Sequence, residues 1–116
     1  MATAEKKNFA APEELRAPSK TEIAAIRFGD RMVQRITYHP GWRWSVDIKP
    51  SAGTDSCQIN HFGYVLSGRS HIVMSDGVEL DVGPGDVVVI PAGHDAWVVG
   101  EEPFVFVDFG GSVRPA

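Results

Sequence analysis

The sequence has a single cysteine, Cys57, no long apolar run and no excess of basic residues, and each shortage narrows the field. One cysteine cannot close an internal disulfide, so the fold has no need of an oxidising compartment. No apolar run approaches the length of a membrane-spanning helix, and the first residues lack the apolar core of a secretory leader. The expectation is a cytoplasmic protein with no membrane partner. The formal net charge is −4, and the largest basic cluster is the pair Lys6-Lys7. That balance argues against nucleic acid as a partner, as does the lack of a helix-turn-helix pattern. Sustained helical periodicity is scarce as well.

What is present is turn chemistry. Twelve glycines and eight prolines punctuate 116 residues that are 43% hydrophobic, a composition suited to one globular domain of short strands. Strand patterns fall at 23–28, 32–38, 42–48, 62–66, 71–74, 78–82, 87–90, 97–99 and 104–109. Gly29-Asp30, Pro40-Gly41, Ser67-Gly68 and Asp76-Gly77 mark turns between them. Along 42–48 the residues alternate strongly, with Trp42, Trp44, Val46 and Ile48 on one face and Arg43, Ser45, Asp47 and Lys49 on the other. Residues 1–20 hold no period and read as an arm, leaving residues 21–116 as the domain. About nine strands without a long helix indicate a sandwich or a jelly-roll barrel.

Residues 83–97 are the most informative stretch. Gly83-Pro84-Gly85-Asp86 is a turn, Val87–Ile90 a β-branched strand, and Pro91-Ala92-Gly93 a second turn from which His94, Asp95 and Trp97 emerge. Gly85, Pro91 and Gly93 match the scaffold half of the second cupin motif, G-x5-P-x-G-x2-H-x3-N, whose His and Asn positions hold Ala96 and Gly100 here. His61 to Gly68, with its Tyr-Val-Leu-x-Gly segment, resembles the end of the first motif, G-x5-H-x-H-x3,4-E-x6-G, and places His61 at the Glu position. Counting on from Gly41 puts Asp47 and Lys49, followed by Pro50, at the two His positions. Counting back from His61 puts Asp55 and Cys57 there instead. The first count keeps Gly41 and Pro50 in register and is preferred.

The chain thus resembles a small single-domain cupin with degenerate metal motifs. The resemblance implies an all-β jelly-roll (double-stranded β-helix) barrel, a small-molecule ligand and a homodimer. The usual His/His/Glu/His set becomes Asp47, Lys49, His61 and Ala96. A protonated Lys and an Ala have no lone pair to offer, so no metal is expected at the usual cupin site. Three functions stay open: a metal-free ligand-binding barrel, an enzyme, and an accessory protein with a vestigial pocket. For binding, the candidates are Asp47, Tyr64, Trp97 and His94. For acid–base catalysis they are Lys49, as a desolvated base, and His61. A rearranged site of Cys57, His61 and His94 would instead suit zinc or iron and an oxygenase or isomerase acting on a small polar metabolite. Pointing Asp47 and Lys49 into the barrel turns Trp42 and Trp44 outward, where the arm or a second subunit would have to cover them.

Overall fold

Short apolar runs between glycine and proline turns fold this chain into two antiparallel sheets. The computed structural model describes residues 3–110. Its elements are β1 (Glu14–Arg16), β2 (Thr21–Phe28), β3 (Arg31–Tyr38), α1 (Trp44–Asp47), α2 (Lys49–Ala52), β4 (His61–Ser67), β5 (Arg69–Met74), β6 (Glu79–Val82), β7 (Val87–Ile90), β8 (His94–Val99) and β9 (Phe104–Asp108). The larger sheet runs β1-β2-β3-β9-β4-β7 and the smaller one β6-β5-β8. This is the all-β, jelly-roll arrangement expected from the sequence. None of the helices described is long and apolar enough to cross a membrane.

Strand parity decides what faces inward. In β9, Phe104, Phe106 and Asp108 are buried while Val105 and Val107 are only half-buried. In β4, Gly63 and Val65 are buried and Phe62, Tyr64 and Leu66 are exposed. The inward residues join Trp42, Trp44, Ile72, Val88 and Val98 in one core between the sheets.

Residues 42–48 depart from expectation: they form no strand. Trp44 and Ile48 stand four residues apart, and four is both two strand repeats and close to one helical turn, so either geometry puts them on one face. Val46 separates the two. A strand would bury it with its neighbours, but it is 63% exposed. Carboxylates favour the helical turn: Asp47 accepts the Arg43 N–H at 2.9 Å, and Asp95 accepts the Ser45 N–H at 3.1 Å. Pro50 then lies in the first turn of α2, where its missing N–H costs nothing. Trp42 and Trp44 consequently face inward and are buried, rather than outward under the arm or a second subunit.

The arm has another role. Its residues 14–16 extend the larger sheet, with Glu14 opposite Ala25 and Arg16 opposite Ile23. The exposed apolar face of the barrel lies elsewhere, on the outside of β4 and β7. There Phe62, Tyr64, Leu66, Val87 and Val89 adjoin Phe109.

Gly93 holds the turn before β8. Its φ is +95°, a region that side chains avoid, and its N–H and C=O bond Cys57 and Ser75. Replacing Gly93 by Val should destabilise the fold by about 1–3 kcal/mol and lower the melting temperature by several degrees. An unchanged thermal transition by circular dichroism would contradict the strain assigned to this turn.

Candidate functional site

The two sheets do not close completely on their contents. Between them lies a cavity of about 260 Å³. Its walls are apolar and ring-rich, including Tyr38, Trp42, Trp44, Ile72, Phe104 and Phe106, while Cys57, His61, His94 and Asp108 supply its titratable groups. Arg16 and Ile59 are exposed and mark its rim.

Three elements bring the polar group together. Cys57 ends the loop after α2 and is locked to the start of β8: its N–H donates to the His94 carbonyl at 2.8 Å, and the Gly93 N–H donates back at 2.6 Å. His61 opens β4. His94 opens β8, directly after the Gly93 turn. One donor atom from each of Cys57, His61 and His94 lies within 4.8 Å of the others, with Cys57 and His94 buried and His61 half-buried.

Each ring has its orientation set from behind. His61 Nδ1 donates to Asp108 Oδ2 at 2.6 Å, and His94 Nδ1 donates to the Pro91 carbonyl at 2.8 Å. With both Nδ1 atoms committed, Nε2 is the position on each ring that can offer a lone pair once it carries no proton. Such carboxylate and carbonyl partners are the usual outer supports of metal-binding histidines.

The charges of the group are linked. Burial pushes the Cys57 thiol up, but the pull of the His61 and His94 rings outweighs it and brings the thiol down to about 6. Burial likewise opposes the His61 imidazolium, yet Asp108 and then Cys57 raise it to about 9. At neutral pH the metal-free site is therefore a thiolate beside an imidazolium. Tyr38 behaves oppositely. Burial, with the charges of Asp108 and Cys57, pushes its phenol far above the ordinary range and keeps it neutral.

The other sequence candidates stand apart from this group. Lys49 is on α2, half exposed, 3.9 Å from the fully exposed Asp55. Asp47 bonds Ser19 and the Arg43 backbone outside the cavity. Both were expected inside on a strand; the helical turn carries them to the rim of the fold, and the count from Gly41 fails with them. The count back from His61 places Cys57 correctly beside His61, but its Asp55 points to solvent. Tyr64 lies on the outer face. Trp97 packs outside the smaller sheet between Arg43, at 4.3 Å, and His71, at 4.9 Å. Asp108 went unnoticed, although its signal was present: an acid at the inward parity of Phe104-Val105-Phe106-Val107-Asp108 has to be paired.

In metal-free protein, the Cys57 thiolate absorbance should titrate near pH 6. Asp108→Asn should move that midpoint upward, because a less basic His61 withdraws its charge from the sulfur. A midpoint at the ordinary cysteine value in the unaltered protein would dissolve the linkage.

A cupin-domain family model, Cupin_2, matches residues 44–110, more than half of the chain. No curated protein sequence matches it. Among solved structures, a protein of unknown function from Rhizobium leguminosarum aligns with a TM-score of 0.64 at 21% identity, covering 94% of this chain and 99% of that one. The polyketide cyclase RemF from Streptomyces resistomycificus aligns with a TM-score of 0.64 at 21% identity, covering 98% and 83%. A cupin-2 domain from Rhodospirillum rubrum aligns with a TM-score of 0.58 at 20% identity, covering 98% and 70%. At these identities the likeness is one of fold.

Proposed function

The chain belongs to the Cupin_2 family of cupin domains, and from that premise we propose that it is a small-molecule cupin with a rearranged metal centre of Cys57, His61 and His94. The observation that carries this reading is the convergence of those three donors within 4.8 Å at the wall of an otherwise apolar cavity. One sulfur and two imidazole nitrogens suit zinc or iron(II), and three protein ligands leave a coordination position for water or a bound molecule. When bound, such a cation supplies Lewis acidity toward an oxygen in that position.

The chain's own residues do the rest. Asp108 keeps His61 in the tautomer that offers Nε2. The Pro91 carbonyl does the same for His94. Cys57 presents a thiolate without assistance from an external base. The ring walls keep bulk water away and strengthen every polar contact made inside. Tyr38 provides a neutral O–H donor.

A second reading, ligand binding without a metal, is favoured by the thiolate–imidazolium pair, since Cys57 and His61 can neutralise one another unaided. Elemental analysis separates the two. Near-stoichiometric zinc or iron in untagged protein, lost in Cys57→Ser, His61→Ala and His94→Ala but kept in Lys49→Ala, is the expected result. Metal-free protein that also fails to take up added zinc would remove the metal centre. Because a cation must displace the His61 proton, apparent zinc affinity should rise with pH by about tenfold per unit and level off above about 9. Calorimetry across that range measures it.

We also propose that the homodimer uses the outer face of β4 and β7. Phe62, Tyr64, Leu66, Val87, Val89 and Phe109 carry no charge, so two copies can meet there about a two-fold axis without burying an ion. Leu66→Glu with Val89→Lys should shift sedimentation from dimer to monomer. A monomeric unaltered protein would end this proposal.

A further inference from the structure

The lining of the cavity changes character along its length. On the larger sheet the strand register sorts the inward residues into layers: Asp108 opposite Gln34, then Phe106 opposite Ile36, then Phe104 opposite Tyr38. Residues of one parity stand about 7 Å apart along a strand, so the three layers span about 14 Å. The smaller sheet repeats the order, with His94 first, then Ala96 opposite Ile72, then Ser70.

Contacts between the sheets bring like layers together. At one end His61 bonds Asp108 at 2.6 Å, and its ring centroid lies 5.3 Å from that of His94. At the other end Val98, opposite Ser70, donates its N–H to the Trp42 carbonyl at 3.0 Å, and the Trp42 ring centroid lies 4.4 Å from that of Tyr38. The cavity therefore has a polar end, where Cys57 joins His61, His94 and Asp108, and an apolar end of Trp42, Tyr38 and Phe104.

The exposed rim adjoins the polar end. Arg16 bonds Gln34 Oε1 at 3.1 Å, and Ile59 stands between Cys57 and His61 in the chain. Hydroxyls toward the apolar end are already engaged: Thr21 Oγ1 donates to the Ser19 carbonyl at 2.8 Å, and Ser70 Oγ to the Trp97 carbonyl at 3.0 Å. Tyr38 brings one further O–H. A polar group carried that deep gives up its hydration for little return, whereas an apolar body gains by leaving water.

We propose that the cavity binds amphiphiles apolar end first, with a body of about two rings among Ile72, Phe104 and Phe106 and a single polar end left at Cys57, His61 and His94. An apolar cavity of about 150 Å³ holds benzene; this one has about 260 Å³, which sets the bulk of the body. The proposal deepens the small-molecule reading above and rests on its cavity, but not on its metal. Such a ligand differs from the small polar metabolite expected from the sequence.

The test compares 2-naphthylmethanol, naphthalene-2,6-dimethanol, which must carry one hydroxyl into the apolar end, and myo-inositol. Each is titrated into the full chain, metal-free and zinc-treated, and followed by calorimetry and NMR. Saturable binding of 2-naphthylmethanol to both forms is expected, with the dimethanol weaker by about fivefold or more and no saturable binding of myo-inositol. Intermolecular NOEs should join the ring protons remote from the hydroxymethyl group to Phe104, and the methylene protons to His61 or His94. Ala96→Phe, which fills the middle layer, should abolish binding while keeping an unaltered circular dichroism spectrum. No saturable binding of 2-naphthylmethanol, a dimethanol or myo-inositol that binds as tightly, or NOEs in the reverse order would overturn the proposal, as would undiminished binding to folded Ala96→Phe. Naphthylmethanol binding to protein that refuses zinc would sink the metal centre alone. Zinc uptake without naphthylmethanol binding would sink this ligand class alone.

Discussion

The hydrogen bond from His61 to Asp108 ties β4 to β9 where the larger sheet faces the cavity, and the site's geometry and charge both descend from it. It holds the ring in one tautomer, raises its basicity, and through the ring sustains the Cys57 thiolate. The strands that carry the two side chains approach each other closely. A Cβ at Gly63 would stand 2.0 Å from the Val107 carbonyl oxygen, so only glycine fits beside Asp108 in this register. One missing side chain thereby sets the spacing of an acid–base pair.

Charges in the interior are expensive unless they answer one another. Here they do so in sequence, from carboxylate to imidazolium to thiolate, with the His94 ring packed edge-on against His61 at 5.3 Å. A divalent cation would take over the part now played by the His61 proton, leaving the rest of the chain of partners in place.

Much of the barrel was legible in the sequence because its information is local. Gly85, Pro91, Gly93 and the Tyr64-Val65-Leu66 segment carry turn and strand chemistry that survives without context, and β4 and β7 stand where that chemistry puts them. The helical turn at 44–52 was not legible, since Trp44 and Ile48 satisfy strand and helix alike and the deciding carboxylate, Asp95, lies fifty residues away. Lys49 and Asp47 were misplaced by that one ambiguity. Cys57, His61 and His94 were nameable as a group by residue type, but their meeting depends on the backbone bridge between Cys57 and His94, a long-range pairing that no local pattern announces. Asp108 was missed for the same reason: its partner is set by the β4–β9 register.

That register also dates the site within the life of the molecule. β9 is synthesised after Cys57, His61 and His94 have all been made. While the chain is still growing, His61 lacks the acid behind it and behaves as an ordinary imidazole, and Cys57 as an ordinary thiol. The charge linkage among Asp108, His61 and Cys57 is therefore complete only once β9 has docked against β4.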